Sequence, residues 1–384
     1  LSLPLYLVGG AVRDLLIGRP INDLDLVVEG DAAILGKSIA DSIGGEVTAR
    51  SEFGTVQLRV FGRRIDVITA RSERYSRPGA LPEVYPSKIN DDLARRDFTI
   101  NSMALRLEPG PLEVLNLENG QMDIERKLIH VLHPASFRDD ATRILRAIRY
   151  EQRLGFVLSD VTERLLRRDI HMINTIGGDR LRRELVHIFM EEEAASMLLR
   201  AAELGVLAAL CPIFPDATTL QLRLENLYRE DSDVTPCQYL ALLAYSLDND
   251  QAASLIDRFN MPIAWKKIVQ DVNFVRIACL SLGVEASPVV VCQQLNQLNP
   301  DLIHVVMSIE DDVCITNNLH RYLMEWRHVR PILNGHDIVN LGMLPGVEIG
   351  QMLERLRNAR LEGSVVTRGD EETLVQEWIA VINS

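Results

Sequence analysis

Three short stretches near the N-terminus carry side chains whose types and spacing suit phosphate chemistry. Gly9-Gly10 ends an apolar run, and Ala11-Val12-Arg13-Asp14 follows with helical character. Two glycines where a strand meets a helix let the backbone approach a ligand closely. The bare N–H groups of the helix start favour an anion such as a triphosphate. Arg13 adds a charge-assisted donor. Ten residues on, Asp23-Leu24-Asp25 puts two carboxylates on one face of a strand, because strand side chains alternate. Such carboxylates repel each other, and a hard divalent cation, magnesium, relieves the repulsion. Asp66 lies in an otherwise apolar strand. It is either the ion-pair partner of Arg63 or Arg64 or the third member of the acidic set. As a third member it makes a two-metal site, one ion activating a hydroxyl and the other steadying a leaving pyrophosphate.

The elements that position these groups follow from periodicity and punctuation. Leu5–Val8 and Leu24–Val28 read as strands, and Ala32–Ile43 as an amphipathic helix. Residues 47–50, 55–61 and 64–69 read as three further strands, separated by Gly54 and Gly62. Strands with few helices between them predict a small mixed sheet. From 72 to 90 the pattern fails, with Pro78, Gly79, Pro82 and Pro86 marking a long functional loop. After residues 112–117 the chain reads as helical almost to its end. Apolar residues at 3- and 4-residue spacing predict helices over 135–154, 160–174, 179–193 and 194–204.

At 384 residues, the chain has room for two to four domains, and 47% apolar residues supply a core. No apolar run has the ~18–20 residues that span a bilayer. The five cysteines form no CxxC pair, which disfavours a zinc ribbon or a disulfide framework and fits a reducing cytoplasm. The net charge of −13 argues against a nonspecific nucleic-acid coat. The charge is uneven. Residues 1–150 carry 20 Lys+Arg against 21 Asp+Glu, whereas the remainder carries 21 against 33.

Two further motifs sharpen the reading: Arg95-Arg96-Asp97-Phe98-Thr99-Ile100-Asn101, and Arg138-Asp139-Asp140-Ala141-Thr142-Arg143 continuing through Arg146 and Arg149. With Gly9-Gly10, Arg13-Asp14 and Asp23-x-Asp25, they make the chain resemble the class II tRNA nucleotidyltransferases. That family comprises the bacterial CCA-adding enzymes and relatives that add only CC, add only A, or make poly(A). The resemblance is strong over residues 5–185 and weaker to the C-terminus. It implies an α+β protein: a nucleotidyltransferase head with a small mixed β-sheet (1–110), then an all-α neck that recognises the base (111–178), body (179–270) and tRNA-binding tail (271–384).

The resemblance also implies roles. Asp23 and Asp25 hold magnesium, and Asp66 deprotonates or orients the attacking hydroxyl. Gly9, Gly10 and Arg13 bind the triphosphate. Arg96, Asp97 and Asn101 meet the nucleotide's sugar and phosphates. Asp140 and Arg143 match the base-reading pair, with Arg146 and Arg149 as further nucleotide contacts. A carboxylate accepting from an exocyclic amino group and a guanidinium donating to a ring nitrogen select cytosine and adenine over guanine and uracil. Substrates are then ATP and CTP, and the partner is the acceptor–TΨC half of tRNA. Arg180, Arg182 and Arg183 are candidates to grip it, with Arg164, Arg167 and Arg168. The length of the 71–90 loop argues against a CC-only enzyme. An A-adding specialist, a poly(A) polymerase and a non-catalytic RNA-binding module are the alternatives. On a helix, Asp139, Arg143, Arg146, Tyr150 and Arg153 form the tighter stripe, so periodicity leaves open which of Asp139 and Asp140 faces the base. His336-Asp337 reads as part of a tail motif rather than a metal site. Trp265, Trp326 and Trp378 read as core.

Overall fold

The computed structural model describes residues 3–21, 23–51, 54–77, 79–230, 233–284 and 286–382. The chain forms two compact units: Leu1–Ala217 with Asp257–Asn260, and Thr218–Ile256 with Met261–Ser384.

The first unit opens with β1 (Leu5–Val8), α1 (Gly10–Leu16), β2 (Leu24–Val28), α2 (Ala32–Ile43), β3 (Glu46–Ser51), β4 (Thr55–Val60) and β5 (Arg63–Thr69). The ends of α2 are set by local chemistry. The Asp31 carboxylate accepts from the N–H groups of Ala33 and Ile34, and Gly44 closes the helix in the left-handed region at φ 71°. Then come β6 (Arg71–Arg74), β7 (Glu83–Pro86), α3 (Ile89–Ala94), β8 (Met103–Glu108) and β9 (Glu113–Asn116). Seven strands make one mixed sheet in the order β3-β4-β5-β2-β1-β8-β9. The β2–β5 pair is parallel and sets Asp25 directly opposite Asp66. One sheet face packs Val56, Leu58 and Val67 against Ala32 and Leu35 of α2. The other packs Tyr6, Val8 and Val27 against Ile89 and Leu93 of α3. Val27 is two residues beyond Asp25, so alternation aims Asp25 at the side of the sheet that α3 covers.

Two expectations are corrected here. The 72–90 stretch is not a featureless loop: β6 and β7 form an antiparallel hairpin with Glu73 opposite Val84 and Arg74 opposite Glu83. Pro86 is tolerated because this ribbon has only two strands, so its missing N–H falls at an edge. Pro78 lies outside the described residues. The helix expected over 135–154 is also broken. After α4 (Gly120–Glu125), the chain runs α5 (Ser136–Asp139) and then α6 (Thr142–Leu154), with Asp140 extended between them at φ −142°, ψ 100°. Its carboxylate accepts from the Thr142 N–H at 3.0 Å and hydroxyl at 2.7 Å, a local bond that competes with helix continuation.

Helices α7 (Asp160–Asp169), α8 (Gly178–Phe189), α9 (Ala194–Glu203) and α10 (Val206–Leu210) complete the first unit. The second unit holds helices and no strands among its described residues. Pro236, Pro288 and Pro300 sit at helix starts behind Thr235, Ser287 and Asn299 caps. The Asn334 side chain accepts from the His336 and Asp337 N–H groups, so this pair starts a helix. Trp326 is buried. Among the described residues no helix is long and apolar enough to cross a membrane.

Glu371 is fully buried in the second unit, where it accepts from the Ile332 and Leu333 N–H groups and from Arg360 at 2.9 Å. Glu371→Ala strips all three donors. It is expected to cost about 2–3 kcal/mol by denaturant titration, whereas Glu372→Ala, which removes only a half-buried carboxylate paired with Arg368 at the surface, stays within about 0.5 kcal/mol.

Candidate active site

The conformation of Gly9 fixes how closely the sheet and the cavity-lining Arg96 approach. Gly9 has φ 65°, and a side chain there would bring its Cβ to 2.6 Å from Nη1 of Arg96. The left-handed φ is what calls for glycine, and any side chain there would also displace the Arg96 guanidinium that lies against it. Arg96 is held from behind by Asp92, which is fully buried and binds Arg96 at 2.9 Å and Arg95 at 2.7 Å. Burial alone would push the Asp92 carboxyl up, but the two guanidiniums overcome it and hold it below the usual range. Asp92 escaped the sequence reading, although its i, i+3 and i, i+4 spacing to Arg95 and Arg96 is the signal that finds it.

Gly9, Gly10, Asp25, Arg96, Asp97 and Asn101 line one cavity of about 500 Å³. Asp140, Arg143, Arg146, Arg180, Arg183 and Glu184 face it from α6, α8 and the break before α6. The hairpin adds Glu73, and Tyr75 follows it. Asp97 is the hub. It is buried, accepts from Arg146 at 2.6 and 2.9 Å and from the Asn101 amide at 3.0 Å, and its carboxyl is held at about 2. Burial opposes that value, and the charge of Arg146 and the Asn101 hydrogen bond outweigh it. Tyr150, also unforeseen as a site residue, lies with Arg13, Arg146 and Arg149 at 5.3, 5.5 and 5.7 Å from its ring centre.

The acidic residues are divided. Asp25 is partly buried, and its carboxyl is raised by burial and by the charges of Asp66 and Asp23, partly offset by Arg96. Among the described residues neither the Asp23 nor the Asp25 carboxylate has a hydrogen-bond or ion-pair partner. Asp66 has several: Arg64 binds it at 2.8 Å and Gln57 at 3.2 Å. The two readings of Asp66 are thus compatible, since the Arg64 pair is largely exposed and worth at most about 1 kcal/mol. Among the described residues, no three His, Cys, Asp or Glu side chains form a metal-sized group. Asp23 and Asp25 nonetheless suit magnesium, which takes one or two carboxylates and completes its shell with water and substrate phosphates. Crowded, unpartnered carboxylates are the donor set such an ion stabilises.

Several predicted residues stand elsewhere. Arg13 is buried and binds Asn101 at 2.7 Å and Asp14 at 2.8 Å, supporting the cavity from outside its lining. Arg149 likewise faces Glu184 at 3.4 Å. Arg182 donates to the carbonyls of Phe259 and Asn260 and pairs with Asp179 at 2.8 Å. The predicted trio is therefore split: Arg180 and Arg183 face the nucleotide-sized cavity, and Arg182 fastens α8 to the 257–260 segment. Asp139 lies 3.7 Å from His133, whereas Asp140 faces the cavity and binds Arg180 at 2.8 Å.

Residues 5–130 match the family described as the poly A polymerase head domain. Residues 155–217 match the probable RNA and SrmB-binding site of polymerase A. An A-adding tRNA nucleotidyltransferase of Geobacter sulfurreducens is 33% identical over 97% of this chain, which spans 44% of that relative's length. One from Halalkalibacterium halodurans is 30% identical, over 98% of this chain and 89% of the relative. The structure of a CCA-adding enzyme in complex with ATP superposes with a TM-score of 0.80 at 30% identity, covering 99% of this chain and 92% of the other. With motifs, cavity and nearly full-length similarity in agreement, the chain belongs to the tRNA nucleotidyltransferase family.

Proposed function

We propose that this chain adds AMP from ATP to the 3′ end of a tRNA ending in CC, releasing pyrophosphate. The observation that carries the reading is one cavity holding both a metal-suited carboxylate, Asp25, and an acceptor–donor pair for a base, Asp140 and Arg143. The A-adding names of the two relatives described above favour AMP as the nucleotide transferred. A second reading, full CCA addition, is favoured by the structural likeness to a CCA-adding enzyme. It is also consistent with Asp140 and Arg143, because cytosine and adenine both present an amino donor beside a ring-nitrogen acceptor.

In the proposed reaction the tRNA 3′ oxygen bonds to the α-phosphorus and the bond to the β-phosphate oxygen breaks. Asp66 orients the hydroxyl and accepts its proton once Arg64 swings out to solvent. Arg96, backed by Asp92, and the Gly9-Gly10 backbone receive the phosphates and stabilise the charge that builds on the leaving pyrophosphate. Asn101 and Arg146 are held by Asp97 where the sugar would lie. Bound magnesium supplies charge neutralisation at the phosphates, held by Asp23 and Asp25. In the four-part organisation proposed above, residues 111–178 carry the base-reading pair and the segments after 178 carry most of the tRNA contact. Arg180 and Arg183 serve the nucleotide instead.

The deciding experiment offers tRNA transcripts lacking CCA, ending in C, and ending in CC, with ATP, CTP or both. Extension of the CC-ended transcript alone, by one A, is expected. Growth of the bare transcript to CCA establishes the second reading, and no extension of any transcript refutes both.

Asp25 gives a second prediction. A carboxyl raised in the folded state destabilises the fold at neutral pH, and this penalty fades only as pH falls and the group protonates. Asp25→Asn is therefore expected to melt about 2 °C higher than wild type without magnesium and to lose activity by more than 100-fold. Magnesium is expected to raise the wild-type melting temperature and leave that of the variant unchanged in differential scanning fluorimetry.

A further inference from the structure

The pair Asp140–Arg143 does not explain a preference for adenine over cytosine, because the Watson–Crick edges of the two bases offer it the same groups. The bonding of Asp140 points to a third residue. A carboxylate has about four acceptor positions. Thr142 takes two at Oδ1, through its N–H at 3.0 Å and its hydroxyl at 2.7 Å. Arg180 Nη2 takes one at Oδ2, at 2.8 Å. One acceptor position remains at Oδ2. Beside it, in the same planar guanidinium, is Nη1 of Arg180, a buried donor with no hydrogen-bond partner among the described residues. Orphaned buried donors are rare in native interiors and call for an explanation. Arg180 and Asp140 both line the nucleotide cavity, so a ligand there is the natural partner.

We propose that Arg180 reads N7 of the incoming adenine, next to Asp140 Oδ2, which accepts from the exocyclic amino group. This rests on the AMP-adding reading and deepens it. Arg143, Asp140 and Arg180 then present donor, acceptor and donor to the N1, amino and N7 positions of adenine. Cytosine has a C5–H where adenine has N7 and leaves Nη1 orphaned. Guanine has N7, but its O6 sets an acceptor against Asp140. A site built to hydrogen-bond a substrate rejects the analogue lacking that group far better than an apolar pocket rejects a misfit. The break between α5 and α6 is what makes the arrangement available, because it swings the Asp140 carboxylate out to meet α8.

The test measures AMP-analogue addition to CC-ended tRNA with ATP, 7-deaza-ATP and 1-deaza-ATP, using wild type and Arg180→Met. Wild type is expected to use 7-deaza-ATP with kcat/KM about 10–100-fold below that for ATP, the loss of one charged hydrogen bond. Arg180→Met is expected to use ATP and 7-deaza-ATP equally, to keep its sensitivity to 1-deaza-ATP, and to show a reduced preference for ATP over CTP. A merely structural role for Arg180 leaves the 7-deaza penalty in place. The proposal is overturned if wild type uses 7-deaza-ATP as well as ATP, which needs no variant to fold. It is equally overturned if Arg180→Met retains the 7-deaza penalty, or loses the 1-deaza penalty instead. Failure of wild type to extend the transcript with ATP overturns the AMP-adding reading itself.

Discussion

The site depends on the buried carboxylate of Asp97. Its two oxygens gather Arg146 from α6, the Asn101 amide and the Phe98 N–H, so one group joins the turn after α3 to the first long helix beyond the sheet. Asn101 in turn accepts from Arg13, which belongs to the helix that begins at the Gly9-Gly10 turn. A buried charge is tolerable only when its acceptor positions are filled, and here each bond that fills one also places a residue of the cavity or its support. The geometry between the Gly9-Gly10 turn and α6 is therefore set by bonds rather than by packing alone.

A second buried carboxylate repeats the logic one turn earlier. Asp92 fixes Arg95 and Arg96 together, and Arg95 also binds Glu73 of the hairpin while its carbonyl accepts from Arg143. The cationic side of the cavity is thus built from guanidiniums already positioned by carboxylates, which lowers the cost of ordering them around an anion. The exception is the acidic side. Asp25 is crowded by Asp66 and Asp23 and unpartnered among the described residues, which is unfavourable for the empty protein and suited to a cation arriving with its phosphates.

Much of this was legible in the sequence where local pattern and final environment agree. The strands Leu5–Val8 and Leu24–Val28 and the helix Ala32–Ile43 fall where alternation, 3.6-residue periodicity and glycine punctuation put them. The parallel pairing of β2 with β5, which sets Asp66 opposite Asp25, follows from no local signal. The strand β8 also went unread, because Met103 and Ala104 are both buried and show no alternation. Asp140 illustrates the limit most clearly: every residue from 135 to 154 fits a helical pattern, and the break comes from one side chain bonding its own backbone two residues on. Arg180, Arg182 and Arg183 look alike in sequence, yet they meet a carboxylate, a pair of carbonyls and an open cavity respectively. Those fates are tertiary, decided by what each face of α8 meets.

The central claim is that the Asp97 charge positions the nucleotide site, and Asp97→Asn tests it with the least change in shape. The measurement is ATP and tRNA affinity of the folded variant by isothermal titration, alongside wild type. The account predicts ATP binding weakened by about 10-fold or more, with tRNA affinity within about 2-fold, because Arg146 and Asn101 lose the acceptor that aims them. Unchanged ATP affinity, or equal loss for ATP and tRNA, would contradict it.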